Sequence, residues 1–335
     1  MMLPLGVSGL TGVAGEPVTP GPTVLATDGS TEGGGAPVVG ATVHFVVTGP
    51  SGGAPVTVTT DAKGLARFDN WVLAPGDNTL EARGLGLGTV PTKDGFLSLG
   101  VVRFTATGLV LFGVNASDDG LSKIDPASGV VTFINRLDPV TTVFTTPVAM
   151  AVRPSTHAIY VWNNSDLVST GELLTVDVCT GLGTKVSPAT PPQGDLQALA
   201  FAPNGALYGL DTDLWAVNPV TGVKTLIGSL GQRRVGGADF IGGKLYAFTF
   251  GDSLATVDTS TAALTLIGPL SVVVGTPGSI VFNPSTGKLL GSAFGGTSGN
   301  ILFDIDPATA AVSNIRSLTG GFAPQGLGFA PPCPP

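Results

Sequence analysis

The sequence predicts an all-β protein in which a sandwich of short strands precedes a β-propeller. Three observations carry this expectation. One motif recurs five times between Leu109 and the C-terminus. The 335 residues include 50 Gly and 27 Pro but only 11% charged side chains, which suits short strands joined by tight turns. No stretch sustains a capped apolar pattern of period 3.6, so almost no helix is expected.

Residues 1–108 read as strands separated by turn signals. Met1–Gly15 is mildly apolar without a basic leader segment, so no signal peptide is evident and it is read as feeding the first strand. Strand-like runs follow at 23–28, 41–49, 55–61, 64–73, 78–86 and 101–108, with turns at Pro37–Gly40 and Asp61–Gly64. About seven short strands in about 100 residues is the pattern of an immunoglobulin-like β-sandwich.

From Leu109 onward the repeat governs. Its anchor is Asp125, Asp177, Asn218, Asp258 and Asp306, spaced 52, 41, 40 and 48 residues apart. Four residues before each anchor stands Leu121, Leu173, Leu214, Leu254 or Leu302, and one before stands Ile124, Val176, Val217, Val257 or Ile305. Positions three apart on a strand point to opposite faces, so both faces of this strand are apolar. That suits a propeller blade, which packs against a neighbour on each side. The anchor opens an Asx-type turn in which its side chain caps backbone two residues on. A second strand pair precedes each hairpin, giving four strands per repeat. The first copy lacks its inner strand, and the orphan QGLGFAP (325–331) supplies it. A five-bladed ring closed by a swapped strand is expected, with six blades as the alternative. The expected domains are 1–108 and 109–335, with blades near 109–148 plus 325–331, 149–196, 197–235, 236–276 and 277–324.

Two resemblances rest on these strings. TDxxGxAxFxxWxLxPGxNTLxA (60–82) followed by FTATG (104–108) resembles the bacterial immunoglobulin-like repeats of invasin and intimin type. The propeller resembles a secreted bacterial domain family of uncharacterised function with LYxL…LxxVDPxTGxxTxIGxL blades, and less closely the quinoprotein-like and NHL-like propellers. The resemblance implies an exported or cell-surface bacterial protein and no particular reaction.

Composition narrows the function. With 15 Lys+Arg against 23 Asp+Glu the net charge is −8, which offers no footprint for nucleic acid or an anionic membrane. No apolar run approaches the roughly 18 residues of a membrane span. The two histidines are His44, in a sandwich strand, and His157, in a turn slot filled by Gly205, Gly243 and Gly287 elsewhere, so a Ser-His-Asp triad or multi-His zinc site cannot form in the propeller. Acidic residues fall in turns between second and third strands: Asp118 and Asp119, Asp166, Asp211 and Asp213, and Asp252. Asp118-Asp119 or Asp211/Asp213 could hold Ca²⁺, but neither shows a spaced DxDxDG run, and solvated turns are the simpler account. The crossover 229–240 carries Arg233 and Arg234. With Asp195, Gln197, Asp239 and Gln325 these are expected at one mouth of the channel, where two guanidiniums suit a carboxylate or sulfate; pairing with nearby Asp is the simpler account. Cys179 and Cys333 allow at most one disulfide, and their pairing stays open.

The expected function is therefore a non-enzymatic adhesion, scaffold or interaction module, without a catalytic residue and without a cofactor, Ca²⁺ at the acidic turns being the alternative. Its expected partner is a surface protein or glycan, and the chain is expected to be a monomer outside the cell or on its surface. One alternative is a propeller binding a glycan or small anion at the arginine mouth. Another is a metal-dependent lyase or hydrolase.

Overall fold

The computed structural model describes residues 1–5, 9–28, 35–50, 52–85, 98–138, 146–165, 170–187, 194–231, 233–296 and 299–334. Asp166 and most of the connectors 138–149 and 187–197 lie outside them. The chain forms two compact units, one of Met1–Leu109 with Pro284–Thr286 and the other of Val110–Asn283 with Gly287–Pro335.

The first unit is built from β1 (Met2–Leu5), β2 (Leu10–Val13), β3 (Thr23–Ala26), β4 (Thr42–Val47), β5 (Val56–Thr59), β6 (Leu65–Arg67), β7 (Gly76–Leu85) and the first part of β8 (Ser98–Asn115). Strands β1-β3-β6 form one sheet and β8-β7-β4-β5 the other, with β2 parallel to β8. Alternation decides which side chains enter: Val43 and Phe45 are buried while Thr42 and His44 between them are only half-buried. Val24, Ala26 and Ala66 from one sheet meet Phe45, Leu80 and Phe104 from the other around the fully buried Trp71. The expected turn at Asp61 is present. Its Oδ1 accepts from the N–H groups of Lys63 (2.8 Å) and Leu65 (2.9 Å), and Gly64 takes φ 73°.

The second unit is a β-propeller. Its described strands after β8 are β9 (Gly120–Ile124), β10 (Val131–Arg136), β11 (Pro147–Val152), β12 (Ile159–Ser165), β13 (Thr170–Val176), β14 (Gly183–Lys185), β15 (Ala198–Phe201), β16 (Leu207–Leu210), β17 (Asp213–Val217), β18 (Lys224–Ser229), β19 (Val235–Ile241), β20 (Lys244–Thr249), β21 (Ser253–Val257), β22 (Leu264–Pro269), β23 (Thr276–Asn283), β24 (Lys288–Gly296), β25 (Gly299–Ile305), β26 (Val312–Ser317) and β27 (Gly326–Ala330). Four antiparallel sheets run β11–β14, β15–β18, β19–β22 and β23–β26 in chain order. A further one joins the C-terminal strand β27 to β8, β9 and β10.

That last sheet places the two ends of the propeller chain side by side. Gly326 pairs with Val114 and Ala330 with Val110, antiparallel, as the orphan strand predicts. The inner strands then touch in a cycle: β27 packs on β11, β11 on β15, β15 on β19, β19 on β23, and β23 on β27. The repeat's two apolar positions face opposite neighbours. Leu214 enters the core shared with the β19–β22 sheet, whereas Val217 enters the core shared with the β11–β14 sheet. Leu173 and Val176, and Leu254 and Val257, divide in the same way.

The axis is crowded. Every residue of β15 and β27 is buried, as are most of β11, β19 and β23. A ring this tight needs inner strands without bulk at their contacts. A Cβ on Gly237 would lie 2.5 Å from the Ile280 nitrogen, and one on Gly326 would lie 2.5 Å from the Met150 nitrogen. Four sheets carry a bulge in their outermost strand pair, at Phe133/Asn135, Leu214/Trp215, Leu254/Ala255 and Leu302/Asp304. Such bulges twist an exposed edge away from further pairing.

The seam between the last sheet and the first is fastened near the axis and at the rim. Near the axis, Leu327 N–H donates to Ser279 Oγ (3.1 Å), and Ser292 Oγ donates to the Pro324 carbonyl (2.9 Å). At the rim, Arg316 reaches across to the Pro126 carbonyl while pairing with Asp304 at 3.1 Å, both side chains being largely buried. Thr319 N–H donates to the Gly129 carbonyl (3.1 Å), and Val131 N–H to Thr319 Oγ1 (2.9 Å). Beyond β27, Cys333 forms a disulfide with Cys179 in the turn between β13 and β14.

Gly237→Ala should therefore destabilise the protein by about 1–3 kcal/mol, since its methyl meets backbone that cannot swing away. Gly268→Ala, at ordinary φ where a Cβ meets nothing within 4 Å, is the control for the backbone-entropy part. Chemical denaturation of both variants checks the difference.

Candidate functional site

The residues singled out in the sequence divide between the two ends of the ring. Each inner strand runs from a crossover end to a turn end. Arg233 and Arg234 precede β19, Asp195 and Gln197 precede β15, and Gln325 precedes β27, so these lie at the crossover end. The turns between second and third strands, with Asp118, Asp119, Asp211 and Asp213, lie at that same end. Asp239 does not. It pairs with Tyr246 next to the turn joining β19 to β20, about 13 Å along the strand from Val235. Its expected place beside the arginines is corrected by strand direction: position 239 is late in the strand, and the crossover feeds its start.

At the crossover end the side chains bind one another. Arg234 Nε donates to Asp211 Oδ1 at 2.9 Å, and its guanidinium lies 4.9 Å from the centre of the Phe250 ring. Gln325 Oε1 accepts from Ala116 N–H (3.3 Å), and Gln325 N–H donates to the Val114 carbonyl (3.0 Å). Both bonds help seat β27. Asp118 Oδ2 accepts from Asn115 Nδ2 (3.1 Å), and the Asp119 carbonyl accepts from Leu137 N–H (2.8 Å) with Asp119 at φ 52°. Asp213 opens β17 opposite Ser229. Gln197 N–H pairs with the Leu210 carbonyl, and the exposed Asp195 gives its backbone carbonyl to Lys224 Nζ at 3.1 Å. That ammonium also sits 4.4 Å from the centre of the Trp215 ring, and its pKa is lowered, first by burial. Arg233 is exposed, and no ion pair to it is found among the described residues.

Among the described residues no group of three or more His, Cys, Asp or Glu is placed to hold a metal ion. Asp118 and Asp119 stay a pair, and Asp211 faces the Arg234 guanidinium.

At the turn end the anchors act as turn caps. Asp125, Asp177, Asn218, Asp258 and Asp306 each accept, through Oδ1, from the N–H groups two and three residues on, at 2.8–3.1 Å. Each anchor's carbonyl also accepts from the residue four on, which takes positive φ: Gly129, Gly181, Gly222, Ala262 and Ala310. The Ser260 hydroxyl and then the N–H groups of Ser260 and Thr261 hold the Asp258 carboxyl down at about 2. The Thr180 N–H chiefly lowers Asp177, and the Ala308 N–H chiefly lowers Asp306.

Asp239 behaves oppositely. Burial raises its carboxyl to about 6, against two hydrogen bonds that favour the anion: Oδ1 accepts from Phe240 N–H (2.8 Å) and Oδ2 from Phe282 N–H (2.6 Å). The second bond ties β19 to β23. Sequence reasoning grouped this residue by proximity to the arginines; the informative signal was an Asp where β11 and β15 carry Ala151 and Ala200.

His157 occupies the expected turn slot at φ 55°, where Gly205, Gly243 and Gly287 take φ 87°, 82° and 71°. The disulfide joins Cys179 to Cys333 at the same end, both exposed.

No known family description matches the chain, and no curated protein does. Solved structures similar to it include a nidogen/laminin complex (TM-score 0.46, 10% identity, 68% of this chain and 100% of that one) and two proteins from Bacteroides thetaiotaomicron. One of these is of unknown function (0.42, 14%, 93% and 71%), and the other is a quinoprotein alcohol dehydrogenase-like protein (0.38, 12%, 92% and 69%).

Two predictions follow from the turn end. His157→Gly should raise stability by up to about 1 kcal/mol by relieving left-handed backbone, read as an increase in Tm. For Asp239 the folded pKa lies above the unfolded one, so its contribution is complete below about pH 4 and lost as pH rises through 6. The stability difference between the native chain and Asp239→Ala should shrink over that window by on the order of 2–3 kcal/mol, measured by urea unfolding at successive pH values.

Proposed function

We propose that the chain is a non-enzymatic, exported or cell-surface module, in which an immunoglobulin-like sandwich carries a five-bladed propeller that serves as a scaffold for adhesion or interaction. One observation carries this reading: the polar side chains that sequence reasoning nominated for chemistry are occupied in holding turns, crossovers and neighbouring sheets together. Asp211 holds Arg234, Gln325 seats β27, Asp239 ties β19 to β23, and the anchors cap their turns. The five four-stranded sheets and the cycle of inner-strand contacts support five blades rather than six. Two sheets around one core support the immunoglobulin-like reading of the first unit. An exposed disulfide suits an oxidising compartment.

A second reading is favoured by Arg233, an exposed cation beside the Arg234–Asp211 pair. It makes the crossover end a weak site for a carboxylate or sulfate group of a glycan.

The test takes the purified full chain through ester, lactone and polysaccharide substrates with and without Ca²⁺, beside a thermal-shift series with sulfated and uronate oligosaccharides. The module reading expects no turnover. Turnover lost on replacing Asp118, Asp119, Asp211 or Asp213 by Asn would replace it with the metal-dependent lyase or hydrolase. A shift abolished by Arg233→Ala with Arg234→Ala would establish the glycan reading, and an unchanged shift would remove that site.

A further inference from the structure

We propose that the Cys179–Cys333 disulfide is a thiol-sensitive latch on the closing strand of the ring, so that reduction loosens closure locally while the other sheets stay folded. This does not depend on what the module binds.

The argument begins with connectivity. A propeller made from one chain must be closed where its ends meet, and that closure is weaker than any hairpin because no turn joins the partners. Here the closing element is β27, five residues long, hydrogen-bonded on one side to Val110–Val114 of β8. It is tethered upstream through 318–325. Downstream, Cys333 lies three residues beyond Ala330.

The disulfide changes this topology. Cys179 belongs to the sheet β11–β14, not to the sheet that β27 completes. The bond spans 154 residues of sequence. With it, the chain from β14 through β27 becomes a covalent loop, and β27 is tethered at both ends. It cannot leave β8 without drawing the β13–β14 turn along. Without it, β27 loses its covalent tie to the β13–β14 turn and is held to its own sheet by the ladder to β8.

Both sulfur-bearing residues are exposed, so a thiolate can approach either sulfur. A dithiol reductant supplies two electrons and two protons. Its thiolate attacks one sulfur and the Cys179–Cys333 bond breaks. A mixed disulfide forms, and the reductant's second thiol resolves it, leaving two protein thiols and an oxidised reductant. The contacts at the seam with the last sheet survive this step: the Arg316–Asp304 pair with its reach to Pro126, the Thr319 hydrogen bonds, and Ser279 on Leu327. Reduction therefore loosens β27 without opening the cores between the other sheets.

The experiment is amide hydrogen exchange on the full chain, oxidised, reduced with dithiothreitol, and reoxidised, with intact mass reporting the thiol state. Amides of β27 and of β8 from Val110 to Val114 should exchange about tenfold faster after reduction and recover on reoxidation, while those of β16–β17 and β20–β21 change less than about twofold. A Cys179→Ser, Cys333→Ser double variant should exchange as the reduced chain does. Unchanged exchange at β27 would overturn the proposal. Loss of protection in all sheets together would also overturn it, showing a global staple instead of a latch. So would two unpaired thiols in the chain folded under oxidising conditions.

Discussion

The pairing of β27 with β8 is the constraint on which the propeller depends. Each of the other sheets is a continuous stretch of chain and can form its ladders locally. The cores between sheets exist only if the sheets are held around one axis. That requires the last strand to find the first, about 210 residues away in sequence. The reach of Arg316 to Pro126, the Thr319 hydrogen bonds and Ser279 on Leu327 gather where the last sheet meets this one, and the disulfide ties the tail of β27 to the sheet on its other side.

Closure has a geometric consequence at the axis. A small ring forces its inner strands together, and backbone from one strand comes within contact distance of the next. Gly237 and Gly326 stand where a methyl group would strike that backbone. At those two contacts the side chain is absent, while Ser279 and Asp239 reach to a neighbour's N–H. Asp239 couples this packing to pH, because the burial that lets it bridge β19 and β23 also disfavours its charge.

The same economy runs through the surface turns. An Asx anchor caps the turn between the last two strands of each sheet, and a residue at positive φ completes it. Three repeats place Gly there and two place Ala, buried against neighbouring residues at φ 61° and 59°. His157 and Asp119 are further residues held in that region. Such positions mark where turn geometry outweighs side-chain preference, and they explain why an isolated histidine or acidic pair in this chain need not signal chemistry.

Much of this was legible in the sequence because it follows from short-range spacing. The Leu-to-Asx interval placed Leu214 and Val217 on opposite faces, and the turn signature named every anchor. The unpaired strand at 325–331 foretold the closure. Those inferences need only the two-residue period of a strand and the chemistry of a turn. What the sequence could not supply was which ends of different strands meet. Asp239 belongs to the turn end and not to the arginine mouth, since a side chain's place along the axis depends on its position within the strand. Arg234 faces Asp211 and Phe250, and Cys333 finds Cys179 across two sheets, because those distances are set only when the ring closes. Local pattern fixed the repeating unit; closure decided the neighbours of its polar residues, and with them the room left for a functional site.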